Sequence, residues 1–440
     1  MPDRQRVLLA GEGDLFDEVS LAFEQAGADL HAIKDPDDDA IRDALAEGDF
    51  DVVCVAARQD ALPLRIALLV RHLDEDVPLV ATIFDDQMAA QLQEAIPNLQ
   101  LTSLADLVAP ALAGPCLDAE LLAAWPDGEE VVGVRCATPE GPLEHDRREK
   151  PSTSMLRALA TSVFAPYDRS ARLFFYGLIG LGFMLALETG GAMAVLDQSF
   201  ADALYGSAKS LVTVGPNEAV SDGPSWFKIA VVVSMVLTLL SAACFTGGLI
   251  ERLTSTRLTG LIGPRAVPRR EHVVVVGLGQ VGMRLCLLLR ECGIAVVAVE
   301  ADGEGENVGA ARKLKLPVVV GKGANPQVLR RLSLDRARAL VAATNDDLAN
   351  IESAMTGRSV NPDLRVVLRA GAGDVADETR SLLRIGHVID VHRTAAAFIA
   401  ATALGKAVTG VVPVEDHTRL LLPRGGDERF PPEMIDSARG

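Results

Sequence analysis

The stretch His272–Glu300, HVVVVGLGQVGMRLCLLLRECGIAVVAVE, decides how the rest of the chain is read. Val273 to Val276 is an unbroken β-branched run, which predicts a strand buried on both faces. Gly277, Gly279 and Gly282 then supply G-x-G-x-x-G, and MRLCLLLREC predicts the helix that follows. IAVVAVE predicts a second strand, ending on Glu300. Strand, glycine turn, helix, strand and acid are the mechanical context this motif needs. Gly277 makes the tight turn, Gly279 lets a pyrophosphate approach the backbone, and Gly282 permits close packing of helix on strand. Glu300 stands where a carboxylate accepts from a ribose hydroxyl. Gln280 and Val281, between the last two glycines, are further candidate contacts, as is Thr344 at the end of a later strand. The expectation is a Rossmann-like fold that binds NAD(H) or an adenine nucleotide such as ATP, ADP or AMP.

The rhythm continues outward from this stretch. LPVVVGKG, ARALVAATND, LRVVLRA and HVIDVHRT read as strands, with NPQVLRRLSL and DLANIESAMTGRSV as helices between them. Such alternation predicts a parallel, doubly wound sheet over residues 271–415. A helix near TAAAFIAATALGKAV closes it, and residues 416–440 are expected to be a Pro-rich, poorly ordered tail. Residues 1–150 read as a worn copy of the same unit. RVLLAGEGDLFDEVSLAFEQAGADLHAI repeats strand, Gly11-x-Gly13, helix and strand, but Phe16 stands where the third glycine belongs. Its second strand ends Ile33-Lys34 rather than on an acid. Phe16 would crowd a pyrophosphate, so this copy is expected to be structural or to hold a different ligand.

Between the two copies the character of the chain changes. LFFYGLIGLGFMLAL, from Leu173 to Leu187, has no charge, and the run extends to about Val195 if Glu188 finds a polar or interfacial place. Ile229–Ile250, IAVVVSMVLTLLSAACFTGGLI, is uncharged throughout. Helices of this length cross roughly 30 Å of hydrocarbon. Arg169 and Arg172 precede the first run, and Arg252, Arg257, Arg265, Arg269 and Arg270 follow the second. Glu188, Asp197, Asp202, Glu218 and Asp222 outnumber Lys209 between them. The positive-inside rule therefore predicts a multi-pass protein of the cell membrane with both termini cytoplasmic. The segment SFADALYGSAKSL opens with Ser199 and carries Asp202 three residues on, a capped helix start, and then runs into Thr213-Val214-Gly215. A short helix followed by an extended loop, held between two spans, reads as a re-entrant pore loop. Non-helical backbone is tolerated in a membrane only where it is buried in protein or lines a watery cavity, where its carbonyls can replace the water around a cation.

Bulk properties agree. The chain has 440 residues and a formal charge of -18, which excludes a general nucleic-acid surface. Six cysteines show no C-x-x-C spacing and seven histidines no metal-ligand spacing, so neither a disulfide framework nor a metal site is expected. The cysteines read as buried small hydrophobes.

These features resemble the two-span potassium channel family with attached regulator-of-conductance domains, also called RCK or TrkA-N domains, which recur in potassium uptake regulators. The resemblance runs from FADALYGSAKSLVTVG through the second apolar run and over VVVVGLGQVG, Glu300 and PVVVGKGANPQVLRRLSLDRARALVAATNDDLAN. It implies a pore module over 165–255 with pore helix and filter at 199–217, a linker at 256–270, and a homotetramer in the lipid membrane with a cytoplasmic ring. Thr213, Val214 and Gly215 match the start of the family filter Thr-Val-Gly-Tyr-Gly. Pro216 stands at the tyrosine, Asn217 at the last glycine, and Glu218 where the family carries Asp. Gly321, Lys322, Gly323, Ala324 and Asn325 stand where the family has Gly-Asp-Ala-Thr. Proline removes a filter N–H and the aromatic packing, and asparagine adopts the last glycine's backbone angles only at a cost. Lys209 either tethers a carboxylate such as Glu218 or places positive charge near the pore. Adjacent Gly247 and Gly248 are a candidate gate, with close helix packing as the alternative.

The expected function is a potassium channel gated by nucleotide on its cytoplasmic domains, with no catalytic residue. The alternatives are a cation channel of altered selectivity and a non-conducting, membrane-anchored nucleotide sensor. A tethered oxidoreductase lacks an evident catalytic acid, base or metal site.

Overall fold

The computed structural model describes residues 4–431 except 58, 84–88, 90, 91, 95, 97, 139, 152–168, 213, 214, 216, 255–267, 269, 372–385, 415, 416, 424 and 425. The chain forms two compact units, Met1–Thr153 with Pro268–Gly440, and Ser154–Val267. The first unit therefore joins the two ends of the sequence.

In the C-terminal half, strands β9 (His272–Val276), β10 (Ala295–Glu300), β11 (Val318–Val320), β12 (Ala339–Ala342), β13 (Arg365–Ala370) and β14 (His387–Asp390) form one sheet. Its order is β11-β10-β9-β12-β13-β14, and all pairings are parallel. The valine run of β9 lies between β10 and β12 and is wholly buried, as a strand covered on both faces requires. Helices α8 (Gln280–Glu291), α9 (Glu306–Lys313), α10 (Pro326–Arg331) and α11 (Asp347–Val360) lie in the connections, and α12 (Val391–Ala403) follows β14.

The N-terminal half is the same plan with one crossover missing. Strands β1 (Arg6–Gly11), β2 (Asp29–Lys34), β3 (Val52–Ala56), β4 (Leu79–Thr82) and β5 (Leu99–Thr102) pair in parallel in the order β2-β1-β3-β4-β5. Helices α1 (Gly13–Gln25), α2 (Asp38–Glu47), α3 (Ala61–Leu73) and α4 (Leu104–Leu117) flank them. Between β2 and β3 the chain makes only α2, whereas between β10 and β12 it makes α9, β11 and α10.

The closing helix of each half packs on the first helix of the other, α4 on α8 and α12 on α1. Composition explains the exchange. LADLVAPALAGPCL and VHRTAAAFIAATA are apolar nearly all round, so one sheet cannot cover them. Arg284 forms an ion pair with Asp106 across the α4–α8 contact, and Arg365 donates from Nη1 to the Pro115 carbonyl at 3.0 Å. Cys54, Cys116, Cys286 and Cys292 are buried as the sequence suggests, with burial pushing the Cys54 and Cys116 thiols up to about 12. Cys244 differs, being exposed on its helix.

The expected tail is a correction. After each closing helix comes a three-stranded antiparallel sheet. The first comprises β6 (Ala123–Asp127), β7 (Glu130–Cys136) and β8 (Leu143–Glu149). The second comprises β15 (Gly410–Val414), β16 (His417–Leu421) and β17 (Asp427–Phe430). Ala123 and Val134 share a core with Val412, Val414 and Leu421, and Arg419 donates to the Gly141 carbonyl at 2.7 Å. The residues after Val414 look like a tail in sequence because their apolar partners lie some 280 positions upstream. Residues 432–440 lie outside the described residues.

The second unit is a helical hairpin with a short insert. Helices α5 (Arg169–Leu196) and α7 (Ser225–Thr254) pack along each other, with α6 (Phe200–Leu211) between them in sequence. Segments Leu173–Leu196 and Ser225–Ile250 are long and apolar enough to cross a membrane. A Cβ added at Gly177 would lie 2.4 Å from the Phe245 nitrogen, and one at Gly180 would lie 2.6 Å from Ser241 Oγ. Small residues thus set the closeness of the two backbones, as in membrane helix pairs. Glu188 finds its polar place in this seam, where Ser234 Oγ donates to its Oε1 at 2.6 Å.

Candidate functional site

The glycine turn of the C-terminal half is built by four strand and helix ends. Gly277 leaves β9 with φ +92, and a Cβ there would come within 2.8 Å of Thr344 Cγ2 and 2.9 Å of the Thr344 nitrogen. Only glycine satisfies both conditions. A Cβ at Gly282 would lie 2.0 Å from the Gly277 carbonyl oxygen, so the third glycine sets the approach of α8 to β9. Gly279 is different. Nothing lies within 4 Å of a Cβ built there, and its φ of -68 is ordinary. Steric contact inside the protein does not require glycine at 279, whereas an external group lying against the backbone would.

Gln280 and Val281 are the first residues of α8, the former exposed and the latter buried. This helix start carries no side-chain cap, so its first-turn amides are free to meet an anion. Glu300 ends β10 beside the turn. Its Oε2 accepts from the Leu278 N–H at 2.7 Å and its Oε1 from the Asp302 N–H at 3.2 Å. Each carboxylate oxygen has a second lone pair, which leaves capacity for a hydroxyl donor. Open space at Gly279, an uncapped helix start and a carboxylate at the adjacent strand end fit an adenine nucleotide.

Thr344 comes against Gly277, and Asn350 holds it there. The Thr344 N–H and Oγ1 both donate to Asn350 Oδ1, at 2.8 and 2.7 Å, while Asn350 Nδ2 donates to the Thr344 and Arg369 carbonyls at 3.0 and 3.1 Å. Asn350 is completely buried. Sequence reasoning missed it, although a polar residue in the α11 register that faces the sheet was the available signal. It also missed Gly323, where a Cβ would lie 2.2 Å from Val276 Cγ1 and 2.7 Å from Ser353 Oγ. The Gly321-Lys322-Gly323 departure from the family pattern thus keeps a small residue against the end of β9.

In the N-terminal half the corresponding corner carries the opposite charge. Gly11 pairs with Lys34 in the β1–β2 register, as the β9–β10 register sets Gly277 beside Glu300. Lys34 Nζ makes a 2.7 Å ion pair with Asp17 and lies 5.9 Å from the centroid of the Phe16 ring. Phe16 is 5% exposed, with Cδ2 3.1 Å from where a Gly11 Cβ would sit.

In the second unit, Thr213, Val214 and Pro216 lie outside the described residues. Gly215 has φ +143, and Ser210 Oγ donates to its carbonyl at 3.5 Å. Asn217 has φ -59, so the backbone cost expected for asparagine there does not arise. Lys209 Nζ donates to Glu218 Oε1 at 3.0 Å, the first of the two roles the sequence left open for it. The cap of α6 is as expected, with Ser199 Oγ accepting from the Asp202 N–H at 3.3 Å. Gly247 and Gly248 both lie within α7, the first exposed with open space around it and the second buried. Among the described residues no group of three or more His, Cys, Asp or Glu side chains is placed to hold a metal ion.

Comparison with known proteins adds the following. The TrkA-N domain family matches residues 273–390. Potassium channel protein 1 of Methanocaldococcus jannaschii is 19% identical over 209 residues, 46% of this chain and 62% of that protein. A Trk system potassium uptake protein TrkA homolog of Methanothermobacter thermautotrophicus is 32% identical over 128 residues, 29% of this chain and 58% of that protein. The solved structure of the GsuK channel superposes with a TM-score of 0.50 at 16% identity, covering 92% of this chain and 64% of that one, a likeness of fold. The chain thus spans about three-fifths of the length of these curated relatives. These relatives are channel and transport proteins rather than enzymes. Residues 273–390 thus form a TrkA-N domain, and the chain containing it is related to bacterial and archaeal potassium-channel and potassium-uptake proteins.

Proposed function

We propose that this chain is the subunit of a membrane cation channel, a homotetramer with potassium as its ion, regulated by NAD(H) or another adenine nucleotide bound at the C-terminal glycine turn. One observation carries the reading. A single chain joins a hairpin of two apolar helices, with a capped third helix leading into Thr213-Val214-Gly215, to a TrkA-N domain whose Gly279 faces open space. Both termini would be cytoplasmic and the α5–α7 connection external, from the arginine asymmetry. In this reading the protein does no covalent chemistry. Carbonyls of residues 213–215 would replace ion hydration, and Gly247 with Gly248 would supply the bend of a gate.

The nucleotide would be held by Gly277, Gly279, Gln280, Val281, Gly282, Glu300 and Thr344. It would bias the regulatory unit between two shapes by its differential affinity for them. The N-terminal copy, with Lys34 and Phe16 at the equivalent corner, would be structural.

Two observations favour altered ion selectivity as a second reading. Pro216 stands at the filter tyrosine, and Asn217 adopts ordinary extended backbone rather than the last glycine's. Purified protein in planar bilayers with potassium and sodium on opposite sides, with and without NAD(H) or ADP, tests both. A nucleotide-dependent current with a potassium-directed reversal potential is expected. A current that does not discriminate the two ions selects the second reading. Nucleotide binding without any current would overturn both in favour of a sensor.

A further inference from the structure

The α6 helix and the chain that returns past it are joined by polar contacts that the reading above does not use. Gly206, Lys209 and Ser210 lie on one face of α6, by their spacing of three and four. Each meets the returning segment. A Cβ at Gly206 would lie 2.4 Å from Asn217 Cγ and Nδ2, so the Asn217 carboxamide occupies the space that glycine leaves. Lys209 pairs with Glu218, and Ser210 Oγ reaches the Gly215 carbonyl. The Asn217 amide is gripped from its other side as well. Its Nδ2 donates to Gln198 Oε1 at 2.6 Å, Gln198 Nε2 donates back to its Oδ1 at 3.4 Å, and the Ala219 N–H donates to the same Oδ1 at 3.2 Å. Gln198 sits in the turn between α5 and α6.

The two legs of this arrangement differ in strength. The Glu218 side chain is 91% exposed, so its ion pair with Lys209 is screened and contributes little. The amide pair is half-buried and reciprocal, and it is seated on Gly206. We infer that Gln198 is a positioning residue which, through Asn217 seated on Gly206, fixes the chain at Asn217 where it returns past α6. Asn217 is then neither a compromise glycine nor an ion ligand. Its side chain anchors the loop, in place of the aromatic packing that a tyrosine at 216 would supply. The inference rests on the pore-loop reading for its functional consequence, though not for its geometry.

The test separates the two. In full-length protein in liposomes, with Cys244→Ser and Val212→Cys, the reaction of residue 212 with a membrane-impermeant thiol reagent reports loop order without needing current. Gln198→Ala, Asn217→Ala and Gly206→Ala are each expected to raise that rate by about fivefold, the equivalent of one lost hydrogen-bond pair. Gln198→Ala/Asn217→Ala should be no faster than Asn217→Ala alone, because Gln198 acts only through Asn217. Asn217→Ala should relieve Gly206→Ala by vacating the space that the new Cβ needs. Unchanged rates, or an additive double variant, would overturn the inference. If the rates change as expected but no variant or wild type passes current, the anchor stands and the channel reading fails. If wild type conducts, Gln198→Ala should shift the potassium-over-sodium reversal potential at unchanged protein stability.

Discussion

Gly293 lies against Pro151. A Cβ on Gly293 would sit 3.1 Å from the Pro151 carbonyl oxygen and 3.5 Å from Lys150 Cβ. Gly293 ends α8, whose first turn is the glycine loop beside Glu300, and Lys150–Pro151 is the chain that leads toward the first apolar helix. The glycine turn lies at the start of α8, and the contact with Pro151 lies just beyond its end. If an occupant of the glycine turn displaces α8, the Gly293–Pro151 contact passes that displacement to residues 150–151.

Gly293 has φ +79, where asparagine is tolerated but β-branched residues are not. Gly293→Val should cost about 2 kcal/mol of stability. Gly293→Asn keeps the backbone and adds only the contact with Pro151. It should bind NAD(H) as wild type does by calorimetry, yet show a weakened nucleotide effect on flux. An undiminished effect would exclude this route.

The three glycines of one motif should behave differently. Gly279→Leu meets open space, so its thermal stability should change by less than about 1 kcal/mol. Nucleotide binding in that variant should fall below detection in calorimetry. Gly282→Ala places a carbon 2.0 Å from a backbone oxygen and should cost about 2–3 kcal/mol. Undiminished binding in Gly279→Leu would mean the nucleotide site lies elsewhere.

Asn350 is the buried clasp of the Thr344 turn, with four hydrogen bonds. Asn350→Leu strands the Thr344 amide and the Arg369 carbonyl and should cost about 3 kcal/mol in a denaturant titration of the full-length protein. Gly277 packs on Thr344, so nucleotide affinity should fall with it. A loss of stability with unaltered affinity would confine Asn350 to the fold.

The α1–α12 contact should carry a pH dependence. Burial first, and then the charge of Asp390, raises the Glu18 carboxyl above the usual range. Burial also raises Asp390, against the N–H of Arg393 that holds its ionised form. For these acids the folded state binds protons more tightly than the unfolded one. Their contribution is therefore present at low pH and lost as pH rises from ordinary carboxylate values through the raised ones. His392 has the opposite sense, because burial lowers it. Its contribution is complete above the unfolded histidine value and is lost as pH falls below about 6.5 toward the lowered one. Glu18→Gln should flatten the loss on the rising side in thermal melts taken from pH 4 to 8, measured in steps of about one unit. An unchanged profile would mean that Glu18 does not titrate in that range.

Much of the architecture was legible because it rests on local chemistry. The valines of β9, the glycines after them and Glu300 fall at spacings that only a strand, a turn, a helix and a second strand satisfy. The α6 cap at Ser199 and the two apolar runs are equally local. The absence of an acid at Lys34 was readable too, although its ion pair with Asp17 was not. Asn350 and Gly323 escaped notice because their roles depend on what lies across the sheet.

The sequence by itself determined the repeating strands and helices of the two parallel sheets, the two apolar helices, and which ends carry glycine, acid or charge, since turns, caps and burial on a strand or helix are set by neighbours in the chain. Only the tertiary structure decided that the first and last thirds of the chain are one body. The apolar surfaces of α4 and α12 are too large for their own sheets, and each is covered by the other half. The same holds for β15–β17, whose partners at Ala123 and Val134 lie far upstream. It holds again for Asn217, which looks like a damaged filter glycine in sequence. In three dimensions its carboxamide fills the gap above Gly206 and binds Gln198, a contact no local pattern could announce.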